Sequence, residues 1–167
     1  MARSSLSEMR GLPDPLLSYN FDLIISNMPV GDMLALKLKC RTTVLPGLSA
    51  EDVTVSAHGN DIKFLGRPIW EHNLQASIYE TRDLTTRDSI RPWIEFARNA
   101  RTNTGAYKAD YEGIGDIVLY DDRANAIRTI RLFGFYPQLL DSPSLDGGTS
   151  TPVEYNVTFY YDFHVDL

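Results

Sequence analysis

Residues 153–167 read VEYNVTFYYDFHVDL, and this stretch decides the fold class. Its odd-numbered positions are all apolar, whereas its even-numbered positions are polar or amphipathic. Because successive side chains of a strand point to opposite faces, the alternation predicts a strand with one apolar and one polar side. Fully extended at about 3.3 Å per residue, it would measure about 50 Å, far beyond the usual strand of about five or six residues. We therefore expect the strand to bend, or to serve a wall larger than one small domain.

Other stretches show the same period-two alternation and predict additional strands. Residues 19–26 and 34–41 flank a turn and predict a hairpin. Residues 117–120 and 126–136 flank the polar cluster 121–125 and predict a second hairpin. A further strand has an apolar face that includes a histidine, expected to be a hydrogen-bonded core residue rather than a base. That face consists of Trp70, His72, Leu74, Ala76 and Ile78.

One helix is predicted over residues 89–100, between the strands. Asp88 or Ser89 can cap it, and Pro92 falls in or beside its first turn, where a missing N–H group costs little. Four apolar residues recur at helical spacing and would pack on a sheet. These are Ile90, Trp93, Ile94 and Ala97. With many strands and a single helix, the sequence predicts a mainly β fold.

The predicted domain organisation is simple. Residues 1–18 form an amino-terminal arm, and residues 19–167 form a single domain long enough to bury its own core. Two segments inside the domain are predicted to be irregular, residues 59–67 and residues 138–152. Apolar residues in such a segment either fold back onto their own domain or insert into a partner.

Composition excludes several functional classes. The formal net charge is −6 and the pI is near 5.0, whereas a grip on nucleic acid requires clustered lysines and arginines. The first residues lack the apolar stretch of a signal peptide, and no run approaches the roughly 18 apolar residues of a membrane span. A single cysteine, Cys40, excludes an internal disulfide and suits a reducing compartment. The sequence thus predicts a protein made in the cytoplasm, without a membrane span.

No motif for catalysis or cofactor binding stands out in the sequence. No two of the three histidines lie at a zinc-ligand spacing, and phosphate-binding glycine loops and nucleophile elbows are absent. Asp162, His164 and Asp166 share one strand face and could ligate a metal, but a solvated polar face is the simpler interpretation. Cys40 is expected to be a small buried hydrophobe. The sequence predicts neither an enzyme nor a cofactor.

Three segments, taken in order, resemble the tail tube protein family of contractile-tailed bacteriophages. The first is a strand pair that opens with LSYNFDLI at residues 17–24 and closes with LKCRTTVLP at residues 38–46. The second, IRLFGFYP at residues 130–137, is similar to the family's strand that ends in a glycine–aromatic–proline pattern. The third is the alternating terminal strand, which opens with VEYNVTFYYD. With the helix between the sheets, the resemblance spans nearly the whole chain.

The resemblance implies a β-sandwich or half-barrel that closes into a shared barrel when six copies form a ring. Stacked hexameric rings would make the hollow conduit for DNA beneath a contractile sheath. The chain would then be a structural virion protein of the tail, assembled in the host cytoplasm. Its implied partners are further copies of itself and the sheath, baseplate, tape-measure and tail terminator proteins. DNA would pass through the lumen without specific binding.

The resemblance also implies where neighbouring rings would meet. In the family, ring-to-ring contacts commonly involve a long loop and the amino-terminal region. The matching places are residues 59–67 and the arm before Ser18. The candidates for subunit contacts are therefore Ile62, Phe64 and Leu65.

Two other functions stay open on the sequence. The inner tube subunit of a phage-tail-like injection system, or of type VI secretion, would share the fold and the assembly but would pass protein. From another class, a small β-barrel enzyme or ligand-binding module would need features that this sequence lacks. Those features are the clustered histidine and glutamate ligands of a cupin, or the Gly-x-Trp opening strand of a lipocalin.

Overall fold

The computed structural model describes residues 10–11 and 15–167, so most of the predicted amino-terminal arm lies outside the described residues. The chain is mainly β, as predicted, and its sheets are not closed in the single chain. The elements of residues 15–167 are, in order, β1 (Phe21–Ser26), α1 (Met33–Lys39), β2 (Cys40–Thr43), β3 (Leu48–Ala57), β4 (Asn60–Trp70), β5 (Asn73–Tyr79), α2 (Thr85–Ala97), α3 (Lys108–Tyr111), β6 (Gly113–Tyr120), β7 (Ala126–Leu140), β8 (Glu154–Tyr160) and β9 (Phe163–Asp166).

One sheet contains seven of these strands, in the order β1-β6-β7-β8-β5-β2, with β9 added beside β7. Strand β7 joins the two halves of the sheet, because its first part pairs with β6 and β9 while its end pairs with β8. Gly134 lies between these parts with φ +64°, a left-handed conformation that suits glycine. Strands β3 and β4 form a separate two-stranded sheet.

The core packs residues from both halves of the large sheet against helix α2. Phe135 of β7 and Phe159 of β8 are fully buried, and their rings stack at a centroid distance of 4.6 Å. Helix α2 contributes Ile90 and Trp93, both fully buried, as the predicted apolar stripe requires. The indole N–H of Trp93 donates to the Tyr111 carbonyl at 2.7 Å, so the buried ring keeps its polar group paired.

Helix α2 begins four residues earlier than predicted, because a glutamate outside the helix accepts its first N–H groups. The Glu80 carboxylate accepts the backbone N–H groups of Thr81, Thr86 and Arg87 at 2.9 to 3.1 Å. Burial by itself would raise the pKa of Glu80, but these hydrogen bonds outweigh it and hold the pKa below its ordinary value. Buried Lys39 places its Nζ 3.8 Å from Glu80 Oε1. The pair connects α1 to the start of α2.

The lowered pKa of Glu80 predicts a pH-dependent stability. In the unfolded chain the group titrates near its ordinary value of 4.5, so the native carboxylate stabilises the fold above that pH. This stabilisation is lost as the pH falls through the lowered native pKa. Glu80→Gln should therefore flatten the fall in the free energy of unfolding between about pH 5 and pH 3. Urea denaturation at several pH values measures this, and parallel curves for variant and wild type would contradict it.

Residues 34–41 do not form the predicted strand, and that prediction is wrong. Met33–Lys39 is a helix, and β2 follows it directly. Asp32 caps the helix, since its Oδ1 accepts the backbone N–H groups of Leu34 and Ala35 at 3.0 and 3.1 Å. Methionine, leucine, alanine and lysine are all strong helix formers, and their propensity outweighs the short alternation. The first predicted hairpin is therefore wrong too, and β1 pairs with β6.

Asp32→Ala should destabilise the chain by about 1 kcal/mol, because two N–H groups at the start of α1 lose their acceptor. The free energy of unfolding in urea at neutral pH measures the effect. Asp83→Ala, which removes an exposed acid from a turn, is the control and should change stability by less than about 0.5 kcal/mol. Equal stability of the two variants would show that the cap contributes nothing.

The hairpin predicted around residues 121–125 is confirmed by strands β6 and β7. Asp121 organises its turn, because its Oδ1 accepts the backbone N–H groups of Arg123 and Asn125, both at 2.8 Å. The adjacent acids of this cluster therefore serve ordinary turn chemistry.

The terminal strand bends, as expected, but it is not continuous. It divides into β8 and β9 at Tyr161 and Asp162, whose N–H groups donate to the carbonyls of His72 and Phe133. A Cβ at Gly134 would lie 2.3 Å from Oδ2 of Asp162, so the glycine also makes room for this break. The apolar positions of β8 are buried as predicted, whereas those of β9 are exposed. The prediction of one uninterrupted strand is wrong.

His72 and Cys40 were both expected in apolar surroundings. His72 instead lies exposed in the turn between β4 and β5, with φ +57°. Its Nδ1 is 3.1 Å from the Tyr161 carbonyl oxygen, so the expected hydrogen bond is present although the core position is wrong. Cys40 is half-buried at the start of β2, and burial raises the pKa of its thiol to about 12. The thiol therefore stays protonated, in line with a hydrophobic role.

Candidate subunit interface

Residues 59–67, predicted to be irregular, belong to a regular hairpin of strands β3 and β4, here called the projecting hairpin. His58 and Gly59 form its turn with φ values of +52° and +79°, the left-handed conformations of a tight two-residue turn. The pairing starts at Ala57 and Asn60 and continues to the base. Both strands pair only with each other and are exposed along most of their length. The loop prediction is therefore wrong.

One face of the projecting hairpin is apolar and exposed. Val53 lies opposite Phe64, and Val55 lies opposite Ile62, so the four side chains share a face. Between 45% and 54% of the surface of each is exposed. Apolar surface of this kind is unfavourable in water, and a cluster of it is typical of a contact with another chain. We call these four residues the apolar face.

The three predicted contact residues do not form one group. Ile62 and Phe64 share the apolar face, but Leu65, 82% exposed, lies on the reverse face of the hairpin. The prediction missed Val53 and Val55. Their spacing of two residues within β3 was the signal that could have found them.

The base and the middle of the hairpin are held by two kinds of contact. Arg67 makes a bidentate contact with Glu51 at 2.9 and 3.0 Å. Both groups are exposed, so the pair contributes less than about 1 kcal/mol. At the base, the ring of Trp70 meets the His164 ring edge-on at 4.7 Å, which connects the hairpin to β9. Because an isolated hairpin is marginally stable in water, a partner on the apolar face would stabilise it.

Within the described residues, strands β1, β2 and β9 of the large sheet have a hydrogen-bonded neighbour on one side only. Such edges carry unpaired N–H and C=O groups and readily accept another strand. Strand β9 adds the exposed apolar side chains of Phe163 and Val165, and Leu167 follows directly after it; the three are between 41% and 63% exposed. Phe163 stacks on Phe133 at a ring distance of 4.8 Å, which fixes this edge against β7. The β9 edge is thus a second candidate contact surface.

The face of β1, β6, β7 and β9 that points away from the core is called the open sheet face. It carries two acids, Asp22 and Asp116, and each forms an ion pair with a basic residue. Arg131 donates to Asp116 through two hydrogen bonds of 2.8 and 3.0 Å, which raise the pKa of Arg131. Asp22 lies 3.1 Å from the Nζ of Lys37. Asp116 and Arg131 lie in one row across the four strands, with an aliphatic residue at each end: Ile24 on β1 and Val165 on β9. The open sheet face therefore carries no excess negative charge.

The possible metal ligands of the terminal strand do not converge. Asp162 and Asp166 each form an ion pair with a basic residue of a neighbouring element. His164 packs between the rings of Trp70 and Tyr161, and its Nδ1 is buried. The carboxylates are exposed, as a solvated face predicts, but the imidazole is not. Across residues 10–11 and 15–167, no three Asp, Glu, His or Cys side chains lie close enough together to hold a metal.

These features define a class: a β-rich protein that exposes apolar side chains on one face of a hairpin and along a strand edge, among other places. In the described part of the chain, no helix has both the length and the apolar character that crossing a membrane demands. The sequence matches the family model of phage tail tube proteins over residues 12–166, so the chain belongs to the phage tail tube protein family. The resemblance seen in the sequence is confirmed. No curated protein sequence matches significantly.

Several solved structures share the fold. A chain of the PVC sheath–tube complex, from an extracellular contractile injection system in the extended state, matches with a TM-score of 0.67 and 18% identity, covering 99% of both chains. A chain of the PVC sheath/tube terminator matches with a TM-score of 0.70 and 16% identity, covering 94% of this chain and 99% of the other. Hcp1 from Flavobacterium johnsoniae matches with a TM-score of 0.50 and 11% identity, covering 89% and 94%. At these identities the likeness concerns the fold alone.

Proposed function

We propose that this chain is the structural subunit of a tail tube in which six copies form a ring and the rings stack into a hollow conduit beneath a contractile sheath. Membership of the tail tube family supports the role of tube protein. The observation that carries the assembly is that strands β1 and β9 each have a hydrogen-bonded neighbour on one side only. Closing a ring covers such edges, which otherwise invite uncontrolled pairing with other chains.

The direction of the strands supports pairing of β1 in one copy with β9 in the next. Each neighbouring pair in the sheet is antiparallel, so β9 runs parallel to β6 and antiparallel to β1. Rotation about a common axis keeps these directions, and it brings the β1 and β9 edges together as an antiparallel pair. Strands β9, β7, β6 and β1 of each copy then continue around one shared barrel, with the open sheet face toward the lumen.

Stacking of the rings is proposed to use the projecting hairpin. Its apolar face would insert against the next ring, where Ile62 and Phe64 become buried together with the two valines of β3. Leu65, on the reverse face, would contact a different neighbour. The role of the amino-terminal arm in the same contact stays a prediction.

The proposed cargo is DNA, which slides through the lumen without specific binding. A tube that passes protein, as in a phage-tail-like injection system, is the second candidate. The observation that favours this alternative is the pairing of Asp116 with Arg131 and of Asp22 with Lys37 on the open sheet face. A wall without net charge repels DNA less strongly than an acidic wall and suits protein equally well.

The proposed partners follow from the same role. They are other copies of the chain, the sheath around the tube, the baseplate and tape-measure proteins that nucleate it, and the terminator that ends it. The proposed place of action is the tail of a virion or of an injection particle, assembled in the host cytoplasm. The proposed role is structural and includes no catalytic step.

Negative-stain electron microscopy of the purified protein tests the proposal. We expect rings with sixfold symmetry and a central hole, or tubes built from such rings. If the rings need nucleation, added baseplate and tape-measure proteins should induce them. A chain that stays monomeric both alone and with those proteins contradicts the proposal, and so does a monomer that turns over a substrate.

A further inference from the structure

A groove of about 900 Å³ runs between helix α2 and the segment 138–145. Ile94 of the helix and Val153 before β8 are half-buried along it. Apolar side chains stand exposed at its sides, since Leu139 is 44% and Leu145 is 81% exposed. The groove thus offers several apolar contacts in a concave surface of the size that binds a ligand or a short peptide.

Four arginines line the groove in a chain whose net charge is −6. Arg91 is paired with Glu95 at 2.9 Å. The other three, Arg82, Arg87 and Arg98, have no carboxylate within 4.0 Å among the described residues. One N–H group of Arg98 donates to Oδ1 of Asn103 at 3.0 Å. Its remaining N–H groups, together with the guanidinium groups of Arg82 and Arg87, are available to bind an anionic partner.

Three acids line the same groove, and they leave the positive charge in excess. Glu95 forms an ion pair with Arg91. Glu80 forms an ion pair with buried Lys39 and accepts hydrogen bonds from backbone N–H groups at the start of α2. Asp141 remains as an exposed acid on the opposite side. A cationic groove with apolar contacts is complementary to a segment that is acidic on one side and apolar on the other.

We propose that this groove docks an acidic amphipathic segment of a partner protein, with carboxylates on Arg82, Arg87 and Arg98 and aliphatic side chains on Leu139 and Leu145. Helix α2 is about 20 Å long at 1.5 Å per residue, so a helical segment of about twelve residues matches its length. Arginine suits this contact because its planar fork binds a carboxylate in bidentate fashion. The residues that line the groove belong neither to β1 or β9 nor to the projecting hairpin, so a ring of the proposed kind could carry the partner on each copy.

Fluorescence anisotropy with three labelled peptides tests the docking. Each peptide has about twelve residues, with leucines spaced four apart, and glutamate, glutamine or lysine at the remaining helical positions. We expect the glutamate peptide to bind at least about tenfold more tightly than the glutamine peptide, and the lysine peptide not to bind. Binding of the glutamate peptide should weaken with added salt. Failure of the glutamate peptide to bind, or equal binding of all three, overturns the proposal.

Variants locate the binding. The double variant Arg82→Gln, Arg87→Gln should weaken binding of the glutamate peptide at least about tenfold. The control is the double variant Arg101→Gln, Arg123→Gln, which changes two exposed arginines outside the groove and should leave the affinity for this peptide unchanged. Leu145→Ser should weaken it as well, because an apolar contact is lost. Equal weakening by the control variant overturns the proposal.

Ring formation is followed in the same samples by electron microscopy. If the Arg82, Arg87 variant loses its rings, the groove is a contact between copies and the proposed docking is wrong.

Discussion

Phe64→Asp should leave the single chain folded and stop the growth of tubes. Phe64 belongs to the projecting hairpin, which lies outside the core, and 54% of its surface is exposed, so the monomer loses little. In a stacked tube the same position would be buried against the next ring, where an unpaired carboxylate costs several kcal/mol. Since each 1.4 kcal/mol is tenfold in an equilibrium constant, mean tube length by electron microscopy should fall at least about tenfold.

Thr149→Asp is the control for this prediction. It adds the same charge at an exposed position of the segment 138–152, outside the projecting hairpin and the β9 edge. We expect tubes of nearly wild-type length, and circular dichroism should show the same fold for both variants and the wild type. Tubes of unchanged length in Phe64→Asp would remove the apolar face from the interface.

Glu80→Ala should destabilise the folded chain by about 3–5 kcal/mol at neutral pH, the largest stability effect expected of any acid in the molecule. The substitution leaves the ammonium group of Lys39 buried without an opposite charge, since the side chains of Lys39 and Glu80 are only 9% and 5% exposed. The neutral hydroxyl groups of Thr81 and Thr85 remain as its hydrogen-bond acceptors. It also removes the acceptor for the first N–H groups of helix α2. The free energy of unfolding by urea denaturation measures the loss.

Glu95→Ala is the control, because Glu95 forms an exposed ion pair with Arg91 in the same helix. Its loss should change stability by about 0.5 kcal/mol or less. A Glu80→Ala variant within 1 kcal/mol of the wild type would show that Lys39 finds water or another partner, and the buried pair would then be unimportant for the fold.

Much of the fold was predictable because its strands alternate and its main helix carries a clear stripe. The hairpin around Asp121 and the burial of Trp93 follow directly from these patterns. A strand was wrongly predicted over residues 34–41 because the apolar residues of this short run fit both a helical and a strand pattern. The cap at Asp32 favours the helix. The break of the terminal strand at Asp162 could not be predicted from the local sequence. It depends on the space beside Gly134, which belongs to a strand remote in sequence.

The contact residues stay a prediction. Ile62 and Phe64 were named because the resemblance to the family pointed to the segment 59–67, where they are apolar. Their true setting was missed, since Gly66 and the charged side chains of both strands obscure the alternation that defines a hairpin. The β9 edge could not be identified from sequence at all. Whether a strand has one neighbour or two depends on the topology of the whole sheet, which local patterns do not report.

Strand β7 belongs to both halves of the large sheet, with β6 and β9 beside its start and β8 beside its end. Neither half can come apart without removing a neighbour from the other. In the proposed tube, this shared strand would oppose separation of the two halves, so a load applied at one end of the tube would act on both halves of each subunit together.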